Sequence, residues 1–127
     1  MAERDYATAA NFRAELRRFL RRSEESARAF GITPRQHLLL LMIAGADDAT
    51  STVSTLVDRL QLTQSAVTEL VQRAEEAGLV SRSPSPLDGR VVDLRLTQEG
   101  EQRLAGVYDA LGPERLELAE MIARLTE

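Results

Sequence analysis

Between Thr52 and Leu96 the hydrophobic period of the chain changes twice, and few folds accommodate that change. VSTLVDRL and QSAVTELVQRAEEA carry Leu56, Leu60, Val67, Leu70 and Val71 at helical steps, separated only by Gln61-Leu62-Thr63. Thr52 and Thr63 suit the caps of two helices, and Gly78 suits the end of the second. Two short helices joined by about three residues form a helix-turn-helix unit. After Gly78 the period drops to two. Leu79 and Val80 open a strand, and Val92, Leu94 and Leu96 alternate with Asp93 and Arg95. The SPSPLDG stretch between them is a turn dense in breakers. This order predicts a winged helix-turn-helix whose finger, residues 83–90, is the wing.

The flanks read as helices. Over 5–30, Ala9, Phe12, Leu16, Phe19, Ser23, Ala27 and Phe30 recur at steps of three and four, and Arg17, Arg18, Arg21 and Arg22 occupy the other face. Gly31 ends that helix. Thr33-Pro34-Arg35-Gln36 then spells a capping box with proline at the first helical position. HLLLLMIA is apolar all round, which predicts a central, buried second helix stopping at Gly45; ADDATS is a polar connection. Thr97 caps a helix running to about Leu111. Gly112-Pro113 breaks it, and a last helix over 113–126 has Leu116, Ala119, Ile122 and Ala123 on one side. The expected fold class is mainly α with a small β-hairpin wing. The winged helix-turn-helix lobe covers 32–97, and a separate helical region covers 1–31 and 98–127.

Composition removes most chemistry. The 127 residues suit one domain, and 43% are hydrophobic, too many for a disordered chain. With no cysteine there are no disulfides or thiolate metal sites, and one histidine with no glycine-rich phosphate loop leaves little from which to build an active centre. Glu75-Glu76 and Asp47-Asp48 are adjacent pairs that splay apart on a helix or sit in a loop. No enzyme, cofactor or metal is expected. No apolar run reaches the roughly 20 residues that span a bilayer, and MAERDYATAANF lacks a signal-peptide core. The cytoplasm, without membrane attachment, is the expected compartment. All 16 basic residues are arginine, which favours bidentate contacts to phosphate or carboxylate, although genome base composition explains the bias equally well. Residues 1–31 hold seven Arg against five acids, and 97–127 hold three Arg against seven acids. That asymmetry suits helices from the two ends packing together.

STVSTLVDRLQLTQSAVTELVQRAEEAGLVSRSPSPLDGRVVDLRLTQEG resembles the multiple-antibiotic-resistance regulator (MarR) family. The resemblance lies in LVDRL, SAVTELV, the EEAGLV exit, the wing's D-x-R and the LTxEG re-entry. NFRAELRRFLRRSEESARAFGITPRQHLLLLMIAG is similar to one branch of the same family, so nearly the whole chain is covered. The resemblance implies a homodimeric transcription factor, often a repressor, on a pseudo-palindromic double-stranded DNA operator. It implies dimerisation through the first and last helices, here 5–30 and 113–126. It also implies release by a small effector, often an aromatic or phenolic anion, held between the dimer region and the DNA-binding lobe.

Physical chemistry makes the DNA roles implied by the resemblance intelligible. A recognition helix enters the major groove with its first turns nearest the bases, where Gln64, Ser65 and Thr68 stand; Gln64 has the amide to pair with adenine N6 and N7. Thr63 opens a helix N-terminus, a ready phosphate site. Gln72 and Arg73, one to two turns on, reach phosphate at best. Arg90 suits the minor groove or its flanking phosphates, with Asp88 holding it; the pair also serves as a local brace for the turn. Arg82, at the wing's base, is a phosphate candidate or a solvated side chain. Glu69 points away, reads a cytosine amino group or weakens binding. From Ser54 to Leu96 there are five Arg and six acids, so modest affinity and a shallow salt dependence are expected. His37 is either a packed core residue or the partner of a carboxylate effector. Phe12, Phe19 and Tyr6 line that crevice or pack in the core or dimer. The arginine cluster of the first helix is a solvated face or pairs with Glu114 and Glu117. The competing reading is a winged-helix module that binds a protein or senses a ligand without binding DNA.

Overall fold

Four threonines fix where helices begin in this chain, whose computed structural model describes residues 3–125. Helix α1 spans Tyr6–Ala29, α2 Pro34–Ala44, α3 Val53–Leu60 and α4 Gln64–Glu76; strands β1 (Val80–Pro84) and β2 (Val92–Leu96) precede α5 (Gln98–Ala110) and α6 (Gly112–Leu125). Thr33 Oγ1 accepts from the Gln36 N–H at 3.1 Å while Gln36 Oε1 accepts from the Thr33 N–H at 3.0 Å, completing the capping box. Thr52, Thr63 and Thr97 cap α3, α4 and α5 by accepting from the N–H groups of Thr55, Ala66 and Gly100. Each such cap stabilises its helix by about 1 kcal/mol. Thr126, inside the last helix expected from the pattern, lies outside the described residues.

The core joins α2, α3, α4, β2 and α5. Leu39, Leu40 and Ile43 meet Leu56, Val67, Val71, Leu94 and Val107, all essentially inaccessible to solvent. Burying a side chain of this kind contributes roughly 1.5–3 kcal/mol. One expectation needs correction here. Helix α2 is not buried all round, because Leu38 and Leu41 are 40% and 38% exposed. Only the face carrying Leu39, Leu40 and Ile43 is enclosed by neighbouring elements.

The turn between α3 and α4 holds Gln61 at φ +55°, a left-handed conformation steadied by its own Nε2 donating to the Asp58 carbonyl at 2.7 Å. The hairpin pairs antiparallel from Val80 opposite Leu96 to Pro84 opposite Val92. Ser83 and Pro84 therefore belong to β1 rather than to the turn expected from SPSPLDG. An outer edge strand tolerates proline, since no neighbour needs its missing N–H. The other edge of β2 is tied to the lobe: Ser51 and Leu94 exchange backbone bonds at 3.1 and 2.8 Å.

The two ends of the chain pack together. Arg22 of α1 meets Glu114 of α6 at 2.8 Å, the pairing that the opposite charges suggested, whereas Arg18 turns to Glu15 on its own helix. Arg103 of α5 donates to the Phe30 carbonyl at 2.8 Å, linking α5 to the end of α1. Helix α6 buries none of its described residues, and Leu116, Ile122 and Leu125 are exposed.

Candidate nucleic-acid interface

Helix α4 turns Val67, Leu70, Val71 and Ala74 into the core. At 100° per residue, this leaves Ser65, Thr68, Glu69 and Gln72 on the face directed away from the protein, with Gln64 and Arg73 on its flanks. All six are exposed. The Thr63 hydroxyl occupies the Ala66 N–H, and the Gln64 and Ser65 amides remain at the positive end of the helix.

The wing projects from the same lobe. Its tip is closed by the Ser85 N–H donating to the Val91 carbonyl at 2.8 Å and the Val91 N–H donating to the Asp88 carbonyl at 2.9 Å. Asp88 Oδ1 accepts from both the backbone N–H of Arg90 at 3.1 Å and its Nε at 3.3 Å. The Arg90 side chain is 93% exposed, so the carboxylate orients the guanidinium base while the rest of the fork faces solvent.

Acids hold Arg73, Arg82 and Arg95 too. Arg73 donates through Nε and Nη2 to Glu69 Oε1 at 3.1 and 2.9 Å. Arg82 Nε lies 3.1 Å from both oxygens of Glu75, bridging β1 to α4. Arg95 reaches Asp48, which sits at φ +59° in the turn Asp47–Ala49. Exposed pairs of this kind contribute about 0–1 kcal/mol, so these guanidinium groups can turn their free N–H groups to phosphate at little cost.

The sequence reading missed one cation. Arg35, in the first turn of α2, lies with Thr33 along a shallow hollow beside Ala66, Glu69 and Arg73 of α4, and it has no ion pair among the described residues. The signal was present: a cation in a first turn opposes the helix dipole.

The three crevice candidates lie on α1 and α2. His37 is 6% exposed, with Nδ1 3.4 Å from Ser23 Oγ, and burial lowers its pKa, which favours neutral imidazole. Phe19 lines a small hollow of about 90 Å³ between α1 and α6, with Arg22 and Glu114. Phe12 is half-buried on α1. A separate hollow of about 330 Å³ lies between α2 and α5, walled by Leu41, Leu96, Leu104 and Tyr108 with Glu101 and Asp109 present.

Comparison with known proteins places this arrangement. The model of the MarR family matches residues 30–91, from the end of α1 through the wing. The HTH-type transcriptional repressor MdtR of Bacillus subtilis (strain 168) is 32% identical over 103 residues, covering 81% of this chain and 63% of the relative. The HTH-type transcriptional repressor IacR of Pseudomonas putida is 36% identical over 72 residues, covering 56% of this chain and 41% of the relative. The chain thus spans less than two thirds of either repressor. Among solved structures, a mutant MarR from E. coli complexed with operator DNA superposes with a TM-score of 0.73 at 25% identity, over 93% of this chain and 87% of that one. YusO of Bacillus subtilis gives 0.67 at 27% identity over 93% and 91%. With helix-turn-helix, wing and flanking helices all in the shared order, this chain belongs to the MarR family.

Proposed function

We infer that this protein is a homodimeric, DNA-binding transcriptional regulator, a repressor whose hold on its operator is tuned by a small ligand. The observation that carries the reading is the pairing of two exposed elements on one lobe. Helix α4 presents Gln64, Ser65, Thr68 and Gln72 outward, and the wing presents Arg90, held by Asp88, beyond it. The helix suits the major groove and the guanidinium the adjoining narrow groove. Thr63, Arg73, Arg82 and Arg35 supply the phosphate contacts that set position without reading sequence. MdtR and IacR are named as repressors, and the MarR structure holds operator DNA, which supports the same role here.

Dimerisation follows from what one copy leaves uncovered. Helix α6 exposes Leu116, Ile122 and Leu125, and a two-fold pair would set two α4 helices about one DNA turn apart on a pseudo-palindrome. The dimerisation region is 1–31 with 98–127, and the DNA-binding lobe is 32–97. The ligand site is the hollow between α2 and α5, where an aromatic or phenolic ring would lie against Leu41, Leu104 and Tyr108. Glu101 and Asp109 disfavour an anionic ligand there, so a phenol fits better than a carboxylate.

A second reading, a winged-helix module that does not bind DNA, draws on one observation: Arg73, Arg82, Arg90 and Arg95 all face acids of their own chain. Fluorescence anisotropy with a duplex from the chain's own upstream intergenic region separates the two. The regulator binds it over unrelated DNA with a shallow salt slope; equal or absent binding at low salt favours the module.

A further inference from the structure

We propose that Glu69 is a base-reading residue that selects cytosine in the operator half-site, with Arg73 as its positioning partner; this rests on the DNA-binding reading above. Glu69 stands at the middle of the outward face of α4, one turn beyond Ser65, where a helix seated in the major groove brings side chains to base edges. Its side chain is 64% exposed and so is not spent on the fold. Arg73 orients it all the same, holding Oε1 with Nε at 3.1 Å and Nη2 at 2.9 Å while its Nη1 stays available to a phosphate. Both bonds fall on one oxygen. Oε2 has no hydrogen-bond partner among the described residues and is free to accept.

A bare carboxylate on this face would meet the phosphate field unfavourably, and Arg73 offsets that charge locally. What remains is an acceptor with no donor, unlike an amide or a hydroxyl, which does both. Such a group recognises an exocyclic amino group in the major groove. Guanine presents O6 and N7, and thymine presents O4, all acceptors that repel it. Adenine offers N6–H₂ but sets N7 beside it. Cytosine offers N4–H₂ with only the C5–H on its other side, which makes it the favoured base. Glu69 thereby contributes sequence choice in a lobe otherwise short of free cations.

Selection from a randomised duplex pool tests this, using the full chain, Glu69→Gln and Glu69→Ala. The wild type should enrich cytosine at one position in each half-site. Glu69→Gln, whose amide both donates and accepts, should shift that position toward adenine. Glu69→Ala should lower the preference by about fivefold or more, the low end for a base contact, while the other positions hold. Either variant retaining the wild-type preference overturns the proposal and leaves the DNA-binding reading intact. So does a uniform gain or loss of affinity at every sequence. A wild type that enriches nothing removes both.

Discussion

Asp88 Oδ1 receives the backbone N–H and the Nε of Arg90 at 3.1 and 3.3 Å, so one carboxylate oxygen sets both the turn of the wing and the aim of its guanidinium. On the proposed seating, Arg90→Ala removes a cation placed for the backbone or narrow groove rather than for a single base. DNA affinity should fall about tenfold across sequences, and the slope of log K against log salt should flatten by about 1. Asp88→Asn keeps an acceptor for the turn and should lose less. Anisotropy titrations at several salt concentrations measure both. Loss confined to one base pair would mean that Arg90 reads sequence.

Gly100 opposes the usual propensity rule. Glycine to alanine inside a helix ordinarily stabilises by about 0.5–1 kcal/mol, yet a methyl at Gly100 would overlap the backbone carbonyl of Leu79. That carbonyl already accepts from the Thr97 N–H at 3.0 Å, and Thr97 Oγ1 donates to the Gly78 carbonyl. Gly100→Ala should therefore destabilise by about 1–3 kcal/mol, typical of overpacking. Gly112→Ala, with nothing nearby to strike, should be neutral or slightly stabilising. Urea unfolding midpoints for the pair report the sign.

His37 gives the fold a pH dependence of fixed direction. Its folded pKa lies below the ordinary value of 6.5 because burial disfavours imidazolium. The unfolded chain therefore binds the proton first. Stability is fully present above pH 6.5 and is lost as pH falls through the folded pKa. Melting curves of wild type and His37→Gln should diverge in shape across that window. Parallel curves would show that His37 titrates alike in both states.

The exposed leucine and isoleucine of α6 carry the dimer prediction. Leu116→Asp with Ile122→Asp should convert a dimer to a monomer in sedimentation at micromolar concentration. The helical signal should survive, because neither side chain is buried within its own subunit. A wild type that sediments as a monomer would remove the interface.

Local chemistry made much of this fold legible. Thr33, Thr52, Thr63 and Thr97 mark helix starts through bonds that span three residues, and sequence spacing carries that information directly. Gly31 and Gly78 mark helix ends for the same reason, each adopting φ near +77°. Non-local facts were not legible. The bridge from Arg82 to Glu75 depends on how the hairpin lies over α4, and the exposure of Leu38 and Leu41 depends on which face of α2 its neighbours cover. Asp48 and Ala49 adopt positive φ without glycine, so composition gave no warning of that turn. The outward residues of α4 follow from period alone, and the grip of Arg73 on Glu69 is a local i, i+4 pair of the same helix.

The most direct measurement is a hydroxyl-radical footprint on a duplex recovered from the chain's own upstream region, comparing wild type with Arg90→Ala. Two protected half-sites about 10 base pairs apart are expected, each flanked by narrow-groove protection that the variant loses while the half-sites persist. Uniform cleavage at protein concentrations that saturate the duplex, or one identical footprint for both proteins, would contradict the seating of α4 and the wing on DNA.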